Sequence, residues 1–183
     1  MTQSHVVVSQ MDQDHLAAIR QNVVRFLALI ASRYLRAPGR LLDIAPQDHT
    51  ASRPNFPAGL IVETLDIDPN AGCTYTGDIT KHNAAIPDGH FDYIICTEVL
   101  EHTLQPFDAT DEMWRMLGPG GYVFASTPFN FRIHGPLPDC WRFTEHGLRA
   151  LFSRYNVVSL DQIATPTRDL MPIHYTLVAR KPE

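Results

Sequence analysis

Residues 91–131 read FDYIICTEVLEHTLQPFDATDEMWRMLGPGGYVFASTPFNF, and this run decides the fold. Tyr93 to Cys96 and Tyr122 to Ala125 are apolar without polar alternation, the pattern of parallel strands covered on both faces. Between them Pro106 suits a first helical turn, Asp108, Asp111 and Glu112 suit its positive end, and Phe107, Met113, Trp114 and Leu117 recur at helical spacing. Gly118-Pro119-Gly120-Gly121 then reads as a turn into the second strand. Strand, helix and strand form one βαβ unit, and two parallel strands need neighbours in a wider sheet.

Upstream of this unit, Leu41 to Ala45 reads as a buried strand, Leu60 to Pro69 as another, and Cys73 to Gly77 as a short third. Each brings a carboxylate near its carboxyl end: Asp43, Asp66 with Asp68, and Asp78. Ligands of open α/β sheets bind beyond the carboxyl ends of the strands, where an acid accepts both hydroxyls of a ribose. Asp66 and Asp68 have an alternative use in capping the turn before Pro69. Asp43, buried at its strand end, must bond loop amides or face a polar ligand. An edge lined by three acids suits a nucleoside bearing a cationic group. Further upstream, a cap at Asp12 and the stripe Leu16, Ile19, Val23, Phe26, Leu27, Ile30 and Tyr34 predict a helix over about residues 12–36. It reads first as a packing helix that covers the sheet or the mouth of a pocket.

Downstream, residues 127–143 form a long proline-rich loop carrying Phe129, Phe131, Arg132, His134, Asp139, Trp141 and Arg142. Such a mixture holds a polar, ring-shaped substrate by stacking and hydrogen bonds, or else its aromatics fill the core as a lid. Thr144 caps a helix through Phe152, and Asn156 to Leu160 with Ile173 to Ala179 close the sheet as an antiparallel pair.

The chain has 183 residues, the size of one domain spanning 1–183, and a formal net charge of −5, which offers no broad attraction for nucleic acid or an anionic membrane. Cys73, Cys96 and Cys140 lack CxxC spacing, EVLEH is not HExxH, and the histidines show no ligand spacing, so neither a disulfide framework nor a metal is expected. No apolar run is long enough to span a bilayer and no secretory leader opens the chain, so the expected setting is cytoplasmic. A G-x-G-x-x-G fingerprint is missing, which disfavours a nicotinamide dehydrogenase.

Over residues 40–152 the chain resembles the class I S-adenosylmethionine-dependent methyltransferases, in particular small methyltransferase type 11-like domains. FDYIICTEVLEH and RMLGPGGYVFASTP carry the likeness. The resemblance implies a Rossmann-like, doubly wound α/β sheet of seven strands in the order 3-2-1-4-5-7-6, the last antiparallel, and S-adenosyl-L-methionine as cofactor. By position, Asp43 and Ala45 would stand near the methionine end, Asp66 and Ile67 at the ribose, Asp78 and Ile79 at the adenine, and Cys96, Thr97 and Glu98 beside the methionine and sulfonium. Glu98 meets the cofactor's amino group or caps the following turn. His134 would be the base acting on the acceptor, with Asp139 orienting it or binding substrate hydroxyls, while His102 reads as structural. The family's first loop usually follows Asp/Glu-x-Gly-x-Gly-x-Gly, because glycines take positive φ and let the backbone approach the cofactor. Residues 43–49 instead read DIAPQDH, with Ala45 and Gln47 for the first two glycines and His49 for the third.

The resulting expectation is an enzyme that methylates a small polar metabolite or sugar-like acceptor. The competing one is a methyltransferase-like binding or regulatory protein with an altered cofactor loop. Pairing of two chains into a homodimer through the N-terminal helix is left open.

Overall fold

The structure is a computed structural model and describes residues 7–46 and 55–183. Seven strands form one sheet: β1 Gly39–Ile44, β2 Leu60–Asp66, β3 Tyr75–Thr76, β4 Phe91–Thr97, β5 Leu117–Pro128, β6 Asn156–Ile163 and β7 His174–Arg180, in the order β3-β2-β1-β4-β5-β7-β6. From β3 to β5 the pairing is parallel, and β7 runs antiparallel to both β5 and β6. This is the expected order and sense.

Both faces of the central strands are buried, which is why their sequences show no alternation. Leu41, Ile95, Phe124 and Val178 pack on one face against Val23, Leu27 and Ile30 of helix α1, Gln10–Arg33. Leu42, Ile94, Val123 and Leu177 pack on the other with Met113 and Met116 of α2, Pro106–Met116, and Leu148 and Leu151 of α3, Glu145–Leu151. Thr144 caps α3 as expected, its side chain accepting from the Gly147 amide.

Three local readings change. Helix α1 starts earlier than expected because Ser9, not Asp12, is its cap. Ser9 Oγ accepts from the Asp12 amide at 3.1 Å and the Asp12 carboxylate returns to Ser9, a capping box that uses both residues. The third strand is only Tyr75–Thr76. Gly118 to Gly121 lies inside β5 and makes a bulge: Phe91 pairs Leu117, then Tyr93 pairs Tyr122. Glycine is required there, since Gly120 has φ 74° and a Cβ on Gly121 would stand 2.8 Å from the Asp92 carbonyl oxygen.

Arg115, in the last turn of α2, ties the stretch before β4 to the helix. Its guanidinium donates to both oxygens of Glu112, to Asp88 Oδ1 and to the carbonyls of Asn83 and Ile86. Glu112 Oε1 also accepts from the Asn83 amide at 2.9 Å. The connection between β3 and β4 is thereby fixed to the end of α2 that leads into the amino end of β5.

Candidate active site

Parallel strands all deliver their carboxyl ends to one edge, and two clefts open along it. The first, about 620 Å³, lies over β1, β2 and β4 and is lined by Ala45, Asp66, Ile67, Asp78, Ile79 and Glu98, all expected cofactor contacts. Asp66 spends Oδ1 on the Asp68 amide at 2.8 Å, and Asp78 spends Oδ1 on the Thr80 amide and hydroxyl. Both turns present a carboxylate to the cleft at a fixed place. Asp68 belongs to the turn alone among these acids: its Oδ1 accepts from the Asn70 amide and side chain, and it does not line the cleft. Val99 and Leu104 complete apolar walls that sequence reasoning passed over. The donor set, three carboxylates between aliphatic walls with Lys81 the one lysine or arginine of the lining among the described residues, fits a nucleoside with hydroxyl and amino groups and a cationic centre better than a phosphate.

Ala45 has φ 48°, the left-handed conformation that the family's glycine would take, and its amide donates to the Leu65 carbonyl at 2.8 Å. The loop therefore keeps the glycine geometry at this position without the glycine. Gln47 and His49 lie outside the described residues. Asp43, Cys96 and Thr97 stand in the strand bodies, 8%, 0% and 3% exposed, and do not line the cleft. Burial pushes the Cys96 thiol far above its ordinary range, with Glu101, Asp43 and Glu98 adding to the effect.

The second cleft, about 1020 Å³, lies between α1 and the loop after β5, and shares Pro46, Glu98 and His102 with the first. Asp12, Gln13, Leu16 and Arg20 line it from the helix, Phe131 and His134 from the loop. The helix therefore packs with one stripe and borders a cleft with the next. His102, read as structural, stands where the two clefts meet.

Glu98 is held at this junction with φ 55°. It does not cap the turn Leu100–His102, which has no side-chain cap. Its Oε1 accepts from Ser126 Oγ at 2.7 Å and pairs with His174 Nε2 at 2.6 Å, and His174 Nδ1 meets Asn22 Nδ2 of α1 at 2.9 Å. Burial opposes the charge, but His174 and Ser126 outweigh it and hold the Glu98 carboxyl below its usual range. Sequence reasoning missed His174, since nothing in an apolar strand marks a histidine whose partner is 76 residues away.

His134 and Asp139 are brought together as expected. His134 Nδ1 lies 3.0 Å from Asp139 Oδ2, which also accepts from the His134 amide at 2.9 Å. Asp139 is further clamped by Arg142, at 2.6 and 2.7 Å to its two oxygens. Those bonds hold its carboxyl well below the ordinary range despite burial. Arg142 also donates to the Phe131 and Arg132 carbonyls, so the loop is braced from within. Burial lowers the His134 pKa, Asp139 working against the shift. Trp141 donates to the Thr103 carbonyl at 2.8 Å and Phe143 is buried, so part of the loop's aromatic content is packing while Phe131 faces the cleft.

A family model described as a methyltransferase domain matches residues 11–164. The chain belongs to the methyltransferase-domain family. This methyltransferase also shares its fold with solved structures. The [4+2]-cyclase SpnF is 18% identical with a TM-score of 0.67, covering 88% of this chain and 82% of its own. A putative methyltransferase solved in complex with the Trm112 methyltransferase activator of Haloferax volcanii is 15% identical with a TM-score of 0.68, covering 97% and 100%. The 1,6-didemethyltoxoflavin-N1-methyltransferase of Burkholderia thailandensis, solved with its substrate and S-adenosylhomocysteine, is 15% identical with a TM-score of 0.63, covering 100% and 94%. No curated protein matches the chain in sequence. At these identities the structural likenesses establish the fold. Among the described residues no helix is long and apolar enough to cross a membrane.

Proposed function

We propose that this methyltransferase transfers a methyl group from S-adenosylmethionine to a small polar metabolite or sugar-like acceptor. The observation that carries the reading is the junction of two clefts at Glu98 and His102, one with nucleoside chemistry and one bounded by a helix and a histidine-bearing loop. Asp66 would receive the ribose hydroxyls, Asp78 and Ile79 the adenine, and Ala45 and Glu98 the methionine end. The bound cofactor supplies an electrophilic methyl on a sulfonium. The protein's part is to hold the acceptor in line with it and to exclude water, which strengthens attraction between the site's carboxylates and the cationic centre. His134 addresses the acceptor from the loop.

The glycine-poor first loop favours a second reading, a binding protein that no longer transfers methyl groups. Calorimetric titration with S-adenosylmethionine and S-adenosylhomocysteine decides first whether a cofactor is used. Saturable binding of both is expected, and well-folded protein that binds neither would sink the enzyme reading. A screen of acceptors by release of S-adenosylhomocysteine then names the substrate.

A further inference from the structure

Glu101 is not accounted for by cofactor or acceptor binding. Its side chain is 0% exposed, and among the described residues neither Oε1 nor Oε2 has a hydrogen-bond partner. Such a carboxylate is strongly disfavoured in a protein interior unless a cation or proton compensates it. Around it, His102 Nε2 stands 3.7 Å and His134 Nε2 3.9 Å from Glu101 Oε1, and one ligand atom from each of the three residues lies within 4.8 Å of the others.

The opposite ring nitrogen of His102 explains why its Nε2 is available. His102 Nδ1 is 3.0 Å from the Pro138 carbonyl, which only accepts, so Nδ1 carries the proton and Nε2 the lone pair. His134 Nδ1 stands 3.0 Å from Asp139 Oδ2 without hydrogen-bonding geometry, so it is His102 whose tautomer a hydrogen bond fixes. An imidazole held as His102 is, with Nδ1 on a carbonyl and Nε2 turned to the cluster, is arranged as metal ligands are, and His134 stands beside it with Nδ1 next to a carboxylate.

We propose that Glu101, His102 and His134 bind a divalent transition-metal cation of the zinc, manganese or iron(II) type, to which the acceptor attaches through an oxygen. Two imidazoles with one carboxylate favour these ions over magnesium and calcium, which prefer oxygen. Ligand atoms about 2.1 Å from a tetrahedral cation are about 3.4 Å apart. The two distances from Glu101 exceed that by about half an ångström or less. The histidine pair starts no more than 4.8 Å apart and has about 1.4 Å or less to close. With three protein ligands a coordination position stays open, and His102 and His134 both line the acceptor cleft, which gives that position a direction.

The proposal rests on the methyltransferase reading and narrows its acceptor to a hydroxyl compound. A coordinated hydroxyl loses its proton to water more readily. Its oxygen then forms the bond to the methyl carbon as the carbon–sulfur bond breaks and S-adenosylhomocysteine leaves. His134 serves as a ligand in this scheme, and no side-chain base is needed.

The test uses tag-free, full-length protein dialysed against chelator and titrated in turn with Zn2+, Mn2+ and Co2+ by calorimetry, with the Co2+ ligand-field spectrum as a second readout. One equivalent should bind. Glu101→Gln and His134→Ala should each weaken binding at least tenfold while S-adenosylhomocysteine affinity is kept. Should Glu101→Gln fail to fold, His134→Ala carries the comparison, with His102→Ala read for cation binding alone because His102 also lines the cofactor cleft. Folded wild-type protein that takes up no cation, or variants that bind it as tightly, would overturn the site. Failure of the cation titration beside intact S-adenosylhomocysteine binding removes the site alone, whereas loss of the latter strikes the methyltransferase reading.

Discussion

Ala45 and Glu98 hold positive φ angles of 48° and 55° at the ends of adjacent strands, and both border the cofactor cleft. A non-glycine residue in this region costs about 1–2 kcal/mol, and such strain persists where surrounding structure over-determines it. Ala45→Gly should therefore raise stability by up to about 1 kcal/mol in urea denaturation, the relief being partly offset by the greater freedom of glycine in the unfolded chain. Ala45→Val should lower it, because a β-branched side chain tolerates this conformation least. Asp66 calls for a different measurement. Its proposed bonds to two hydroxyls are charge-assisted, worth about 1.5–3 kcal/mol each, so Asp66→Ala should weaken S-adenosylhomocysteine binding by at least about tenfold in calorimetry. The fold should survive, since one turn bond, from the Asp68 amide, is lost with the carboxylate. Unchanged affinity would remove the ribose assignment.

Among the elements, α2 is tied to the connection before β4 through Arg115 and Glu112. Burial raises the Glu112 pKa, but the Arg115 guanidinium and the Asn83 amide outweigh it and hold the carboxyl below its usual range. A depressed carboxyl pKa stabilises the fold fully above the unfolded value of about 4.3 and loses that contribution as pH falls through the folded value. Glu112→Gln should thus flatten the acid limb of stability against pH in urea melts while lowering stability at neutral pH. An acid limb as steep as in the wild type would remove Glu112 from this role. These elements were also where sequence reasoning worked best. β4 and α2 were legible because a strand buried on both faces, and a helix with Pro106 at its start and Met113 on its buried side, each write their environment into the residues, although Leu117, read with the helix, already opens β5. The Gly118–Gly121 run was misread because a bulge and a turn ask for the same glycines. Ser9 and Asp12 were confused because both residues of a capping box are good cap formers.

At the scale of the molecule, the carboxylates of the cofactor edge could be read because parallel strands must end on one side, and Asp66 and Asp78 had to follow. The acceptor side could not. Leu16 and Arg20 of α1 meet His134 across a cleft only through the chain's long-range packing, and Glu101 within EVLEH gives no sign in sequence that its carboxylate lacks a partner. The separation of the two clefts bears on the order of addition. Among the described residues the two share Pro46, Glu98 and His102 alone, so a ligand in one leaves the rest of the other's lining free. Turnover should then follow a random sequential scheme, with no obligatory first substrate. Once an acceptor is known, it should bind cofactor-free protein in equilibrium dialysis. An acceptor retained only after S-adenosylhomocysteine is added would establish a compulsory order, with the acceptor's place built by the cofactor.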